Sequence, residues 1–283
     1  MKHIIRFILT VFCMLFVAEA TAQVEVRVKA DRREFLLGEN VRLHVRIDNF
    51  TDSAVSFVNI PGRSWLHFTV TRGGESQPIS PAVIPNFPKL VVPAGSSRTQ
   101  VVDLRPYFTF NREGSYKVIA TVRMPDMQTT YSSNRASFVL ANGGTVRNFT
   151  VQSQGDRLNM SLKLLRVNDK DRLFGQVVDA DTRIVLGACD MGQYLNFMKP
   201  RVILDSAQHM HVLCQSTPEY FTDSRMNNRG QRVDFKIMKR TGGPVDLVST
   251  GNGIRPIGLT PYVRPSSTAE GVIRTTSDRP NQN

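Results

Sequence analysis

The sequence holds one cluster of soft metal ligands, His209-x-His211-x-x-Cys214. Imidazole and thiolate groups are the usual protein ligands of zinc. Side chains on a β-strand point to opposite faces in turn, so His209 and His211 share one face and Cys214 points to the other. The three groups meet at one ion only if the strand contains a bulge. The sequence therefore predicts no metal site and no other cofactor here.

Two polar segments carry paired aspartates, Asp169 with Asp171 and Asp179 with Asp181. A calcium loop brings several oxygen ligands together and, in the EF-hand, includes a glycine and a distal glutamate. Neither segment has these additions. Aspartate also favours turns, so the sequence predicts a turn at each pair.

Catalytic motifs are absent from the sequence. It contains no Gly-x-Ser-x-Gly elbow, no glycine-rich phosphate loop and no His-Glu-x-x-His pattern. Five histidines lie scattered along the chain, so a Ser-His-Asp site assembled from distant strands stays open, but no motif supports it. The sequence predicts a protein that is not an enzyme.

Cations alternate with apolar residues near the start of the chain. The segments 24–30 and 41–47 have a period of two, which is typical of half-buried strands. If the apolar residues face the core, one outer face carries a basic strip, made of Arg27, Lys29, Arg42, His44 and Arg46. Such a strip favours anionic groups, although an ordinary solvated face has the same pattern. The candidate binding residues are Arg27, Lys29, Arg42 and Arg46.

A proline-rich segment, residues 77–93, is the second candidate binding feature. Its five prolines exclude a regular central strand, so we expect an extended conformation. Its apolar residues, Phe87 among them, must pack on the domain or meet a partner. We therefore add Phe87 to the candidate binding residues, with packing inside the chain as the alternative.

The first 22 residues predict export. A short basic start precedes an apolar run, 7–18, and the small residues Ala20-Thr21-Ala22 precede Gln23. The run is shorter than the roughly 20 apolar residues of a membrane-spanning helix. We expect cleavage before Gln23 and a periplasmic or secreted protein whose mature chain has no transmembrane segment. A retained membrane anchor is the alternative.

The chain is strongly basic. It carries 36 Lys and Arg against 24 Asp and Glu, a formal net charge of +12. Such a balance attracts anionic partners over long range. An exported protein meets acidic lipids and polyanionic polymers, so we expect an anionic envelope polymer or a partner protein, and no nucleic acid. A basic protein with no specific partner is the alternative.

Two cysteines remain after the expected cleavage, Cys189 and Cys214, each in an apolar strand-like run. Thiols oxidise in exported compartments, so a disulfide between them is predicted. Two buried thiols are the alternative, because cysteine is among the most buried residue types.

Short alternating segments separated by turns run along the whole sequence. Helical periodicity is missing, so the sequence predicts an all-β protein. A small polar patch, 141–145, marks a boundary between a sandwich domain, 23–142, and a second small antiparallel β-domain, 146–254. Apolar residues become sparse further on, so we expect a disordered tail over residues 255–283.

Three segments of the first domain form a recognisable series: Leu37-Gly38-Glu39 before an alternating run, Val92-Pro93-Ala94-Gly95-Ser96, and Arg112-Glu113-Gly114-Ser115-Tyr116-Lys117-Val118. This series resembles bacterial immunoglobulin-like domains, including the fold type of the bacterial intracellular proteinase inhibitor family. The resemblance implies an immunoglobulin-like sandwich with Tyr116 at a sheet corner. In the second domain, residues 202–213 resemble the strand, turn and strand of a β-propeller blade, in a stretch too short to close a ring.

These features favour a non-catalytic exported protein that binds or scaffolds at the cell envelope. The alternative is an extracytoplasmic protease inhibitor that presents the segment 77–93 to a protease. No inhibitory residue of the resembled family can be placed on this chain.

Overall fold

The computed structural model describes residues 23–263, except residues 125, 127 and 252. Its regular elements are all strands, and none of the described residues is helical. The prediction of an all-β protein is confirmed. The predicted signal peptide lies outside the described residues.

The strands are short and follow one another closely. In chain order they are β1 (Val24–Ala30), β2 (Glu34–Leu36), β3 (Arg42–Asn49), β4 (Val55–Phe57), β5 (Leu66–Arg72), β6 (Pro78–Ile79), β7 (Leu90–Val92), β8 (Ser97–Asp103), β9 (Gly114–Arg123), β10 (Thr130–Ser132), β11 (Ala136–Ala141), β12 (Gly144–Ser153), β13 (Asp156–Val167), β14 (Lys170–Asp179), β15 (Val185–Gln193), β16 (Arg201–Leu204), β17 (Met210–Gln215), β18 (Tyr220–Met226), β19 (Arg232–Arg240), β20 (Asp246–Thr250), β21 (Gly253–Ile257) and β22 (Leu259–Pro261).

Two larger sheets and the short pair β4-β7 form the first part of the chain. One has the order β1-β3-β8, and the other has the order β2-β11-β9-β5-β6, with β10 paired to β9. All pairs are antiparallel except β2 with β11, which is parallel. The buried apolar residues of both sheets belong to one hydrophobic core, except Leu36 of β2, which packs with Val167, Phe174 and Ala188. The period of two in the sequence thus sets which face of each strand is inside.

Aromatic side chains fill the centre of this core. Trp65 is fully buried and lies against Phe57, with ring centroids 5.4 Å apart. Tyr116, near the start of β9, stacks on Phe138 at 5.4 Å. Its hydroxyl donates a hydrogen bond of 2.6 Å to the carbonyl oxygen of Arg112. The polar end of a buried tyrosine is therefore satisfied by the backbone just upstream.

The chain continues as two antiparallel meanders, in which most strands pair with their sequence neighbours. The orders are β12-β13-β14-β15 and β16-β17-β18-β19-β22. A tight turn between β13 and β14 places Asn168 and Asp169 at φ of 49° and 61°. Asparagine and aspartate tolerate this left-handed region better than most residues. The hairpin β20–β21 shares a small core with β17 and β18.

Contacts divide the chain into two compact units. Of the described residues, one unit holds those up to Asp190 together with Asn228–Gln231, and the other holds Met191–Asn227 and those from Arg232 to residue 263. This division differs from the boundary expected at 141–145, since β12–β14 belong with the sandwich. Gln176 of β14 donates a buried hydrogen bond of 2.8 Å to the carbonyl oxygen of Leu37. The polar patch is a turn inside this unit, with Gly143 at φ 63°.

The prediction of a disordered tail over 255–283 is wrong for its first residues. Residues 255–261 contribute to β21 and β22, and β22 pairs with β19. The amide of Tyr262 donates to the carbonyl oxygen of Ile237 at 2.8 Å. Backbone pairing orders these residues although few of them are apolar. Residues 264–283 lie outside the described residues.

Candidate binding surface along strand β1

The basic strip lies on one face of the sheet β1-β3-β8. In the antiparallel register, Arg27 lies opposite Arg46, Lys29 lies opposite His44, and Arg42 lies opposite Asp103 of β8. The four cations are exposed, while the residues between them are largely buried. Their common face follows from the alternating sequence; their role in binding stays a prediction.

Two of these cations form ion pairs with carboxylates on their own strands. Arg27 makes two bonds to Glu25, of 2.7 and 2.8 Å, and Arg46 bonds to Asp48 at 2.9 Å. The hydrogen bond and charge of Glu25 raise the pKa of Arg27. Lys29 makes no ion pair with any carboxylate that the structure describes. Exposed pairs contribute only about 0–1 kcal/mol, so an incoming anion displaces Glu25 at little cost.

Arg42 and Arg46 also interact with partly buried carboxylates. The side chain of Asp48 is only 10% exposed, and its Oδ2 has no hydrogen-bond partner. Burial raises the pKa of Asp103, and the nearby Arg105 and Arg42 reduce this increase. Arg42 and Arg46 therefore offset partly buried carboxylates. This leaves Arg27 and Lys29 as the cations best placed to serve a ligand.

A surface groove of about 610 Å³ runs beside these residues. Its lining consists of Glu25, Val26, Arg27, Val28, Lys29, His44, Arg46, Thr99 and Asn134. Three cations therefore face one carboxylate. This volume is in the range of small-molecule and short-segment binding sites.

Strand β1 forms the open side of this groove, because the only described strand that pairs with it by backbone hydrogen bonds is β3. The carbonyl oxygen of Gln23 accepts a hydrogen bond from the amide of Phe50, and the amide of Asp31 donates one to the carbonyl oxygen of Arg42. The backbone groups of the odd-numbered residues of β1 therefore point toward β3. Hydrogen-bonding direction alternates along an edge strand. The backbone groups of Val26 and Val28 therefore point to the open edge.

The side chain of Asn134 covers part of this edge. The amide of Val28 donates to Asn134 Oδ1 at 2.8 Å, and Asn134 Nδ2 donates to the carbonyl oxygen of Val28 at 3.1 Å. One side-chain amide thus occupies both backbone groups of Val28, as a neighbouring strand would do. Val26 has no such partner among the described residues.

A second groove, of about 460 Å³, is also bordered by Asn134. It shares Val28, Lys29 and Asn134 with the first groove and is extended by Arg32 and Arg33. The two grooves together follow the edge of β1 along its length. Sequence reasoning missed Asn134, since it lies 106 positions from Val28 and no local pattern marks it.

The proline-rich segment is mostly anchored to the sandwich. Phe87 is 6% exposed and its ring packs against Trp65, Phe68 and Tyr107, with centroid distances of 6.1, 6.2 and 5.6 Å. The structure corrects the assignment of Phe87 as a binding residue, because a core side chain is not available to a partner. Its spacing from the flanking prolines does not distinguish these two roles.

A short exposed tip interrupts this anchoring. Val83 and Ile84 are 59% and 63% exposed. On one side the amide of Ala82 donates to the carbonyl oxygen of Tyr107 at 2.7 Å, and on the other side Pro85 is buried. Two large apolar side chains therefore project from a segment held at both ends.

The soft ligands of the C-terminal half do not gather at one point. Asp205 Oδ2 contacts His209 Nδ1 at 3.2 Å and His211 Nε2 at 3.0 Å. Burial acts to raise the pKa of Asp205, but the bond from His211 and the amide of His209 outweigh it and lower the pKa. Cys214 instead contacts Thr222 Oγ1 at 2.9 Å. The described residues contain no group arranged to hold a metal ion.

Cys189 is half-buried and Cys214 is buried. Both environments are compatible with a disulfide and with separate thiols. The predicted bridge between them stays a prediction.

The second aspartate pair, Asp179 and Asp181, lies at the turn that ends β14. Asp179 Oδ1 accepts bonds from the amides of Asp181 and Thr182, at 3.0 and 2.7 Å, and these bonds lower its pKa. Asp181 forms an ion pair with Arg157 at 2.6 Å. The pattern is that of a turn, as the sequence predicts.

Comparison with known proteins adds no family to these observations. No protein-family profile matches the chain, and no curated protein matches it significantly. Across the part of the chain that the structure describes, no helix has the length and apolar character needed to cross a membrane.

Proposed function

We propose that this protein is a non-catalytic exported binding protein of the cell envelope, which engages an anionic partner in the groove along β1. The partner is an envelope polymer or a protein that carries acidic groups. Export is proposed from the first 22 residues, and mass spectrometry of the mature chain tests it: cleavage before Gln23 is expected.

The groove is the observation that supports this proposal. Arg27, Lys29 and Arg46 line it together with one carboxylate, Glu25. The net positive lining and the overall charge of +12 act in the same direction. Long-range attraction brings an anion to this face, and the groove offers several contacts at once.

The framework of the sandwich also supports a binding role. We infer an immunoglobulin-like domain, on three observations: the strand order of the two sheets, the parallel pairing of β2 with β11, and the bond from Tyr116 to the Arg112 carbonyl. This bond resembles the tyrosine corner of such sandwiches. The fold serves many binding proteins, so the ligand has to be argued from the groove.

The test is retention on immobilised dextran sulfate over a salt gradient. The variant Arg27→Gln with Lys29→Gln removes two charges from the groove. The control Lys239→Gln with Arg240→Gln removes the same two residue types from β19, where both are exposed. We expect the groove variant to elute at lower salt than both the control and the parent protein.

Identical elution of the two variants would show that only net charge matters and would overturn the proposal. Arg46 is not substituted, because its removal would leave the largely buried carboxylate of Asp48 without its ion-pair partner. Equal melting temperatures of parent and variants confirm that folding is unchanged.

The exposed tip of the proline-rich segment favours a second candidate function, inhibition of an extracytoplasmic protease. Val83 and Ile84 project between two anchored positions, at Ala82 and Pro85. A pre-organised extended segment binds a cleft with a small loss of conformational entropy. Apolar, β-branched tip residues point to a protease with an apolar specificity pocket.

Titration against an elastase-type serine protease tests this alternative. Stoichiometric suppression that is lost in Val83→Asp with Ile84→Asp supports it. Cleavage of the segment as an ordinary substrate, or no effect on the protease, contradicts it.

A further inference from the structure

The open edge of β1 and the two grooves beside it form a site for an added strand. We propose that β1 binds an extended acidic polypeptide segment of a partner protein, which pairs with its backbone as an additional strand. This inference rests on the proposed function, since it names the partner class for the same groove.

The backbone of β1 supplies the first argument. Val26 and Val28 direct their amide and carbonyl groups away from β3. These groups recur at every second residue, a spacing that another polypeptide matches and a polysaccharide does not. Pairing by strand addition uses such an edge, with backbone bonds for affinity and side chains for specificity.

Asn134 supplies the second argument. Its carboxamide has the donor and acceptor of a peptide group, and it bonds to both backbone groups of Val28. The edge therefore already accepts an amide in the geometry of a strand pair. Proteins commonly cover exposed sheet edges, and Asn134 is the cover that an incoming strand replaces.

The charges select the composition of the added strand. Arg27 and Lys29 project on one face of β1, while Val26 and Val28 face the core side. Side chains of a paired strand alternate in the same way. A segment that alternates acidic and apolar residues places its carboxylates beside these two cations.

Two other occupants fit less well. A polyanion depends on the sum of charges, and Glu25 and Asp48 pair with Arg27 and Arg46 on this face. A second copy that pairs through its own β1 brings Arg27 and Lys29 of both copies close together, which is unfavourable.

The experiment measures binding of a fluorescent peptide of about eight alternating Val and Asp residues to the mature protein by anisotropy. Two further peptides carry N-methyl groups on every Val or on every Asp. Each methylated peptide lacks the amide donors along one of its two edges and keeps those along the other. We expect one methylated peptide to lose binding by roughly tenfold or more and the other to bind as the parent peptide does.

Equal affinity of all three peptides, or an equal loss in both methylated peptides, would overturn strand addition. The series uses the unaltered protein, so the result does not depend on whether a variant folds. Binding of dextran sulfate through Arg27 and Lys29 without any peptide binding overturns this inference and leaves the proposed function standing. If neither probe depends on these residues, both fail.

The variant Asn134→Ala gives an independent measurement. It uncovers Val28, so the peptide is expected to bind about three- to tenfold more tightly, the equivalent of one net hydrogen bond. Weaker peptide binding by a variant that melts at the temperature of the parent would contradict the role of Asn134 as a cover.

Discussion

Replacement of Phe87 by alanine distinguishes a core role of the proline-rich segment from a partner-binding role. The ring is 6% exposed and contacts three other aromatic rings. Phe→Ala in a core costs about 3–5 kcal/mol, through lost burial and the cavity that remains. In a domain of this size 1 kcal/mol corresponds to about 2–4 °C in melting temperature, so a decrease of about 6–20 °C is expected.

The matched control is Ile84→Ala in the same segment. Ile84 is 63% exposed, and exposed substitutions usually change stability by about 0.5 kcal/mol or less. Thermal and urea unfolding are followed by circular dichroism and by fluorescence of Trp65, the single tryptophan, whose ring lies 6.1 Å from that of Phe87. Equal stability of the two variants would show that the segment is not packed as described.

Three further predictions concern other parts of the molecule. Tyr116→Phe removes the bond to the Arg112 carbonyl and is expected to cost about 0.5–1.5 kcal/mol in urea unfolding; no change would argue against a sheet corner. The pKa of Asp205 is lowered on folding, so its ionised form stabilises the protein above the unfolded pKa of about 4 and loses this effect as pH falls through the folded value. Asp205→Asn should therefore be less stable than the parent near neutral pH and converge with it in acid. A Cys189–Cys214 bridge predicts no reactive thiol in the denatured, unreduced protein, and two reactive thiols would exclude it.

The sequence predicts the local features of this fold well. Alternation over 24–30 and 41–47 places the cations outside and the valines inside, because a period of two is sufficient to assign the faces of a strand. The expectation for Tyr116 comes from the resemblance to immunoglobulin-like domains, and its hydroxyl does bond to the backbone four residues upstream. These features depend on residues that are adjacent in the chain.

Features that depend on distant residues could not be predicted in this way. The Asn134 cover joins positions 106 apart, and Phe87 is buried by three rings that come from two separate segments, 65–68 and 107. Residues 255–261 form strands through backbone bonds, which composition does not report. Polar turns such as 141–145 have the same composition whether they join strands within a unit or separate two units.

The parallel pairing of β2 with β11 has a mechanical consequence. Glu34, Phe35 and Leu36 lie beside Val139, Leu140 and Ala141, with both strands running in the same direction. Tension that pulls β2 from its N-terminal side and β11 from its C-terminal side loads their hydrogen bonds in shear, so these bonds must break together. A hairpin pulled at its open end yields one bond at a time. The three paired positions of β2 and β11 therefore resist force along the strands better than the same number of bonds in a hairpin pulled at its open end.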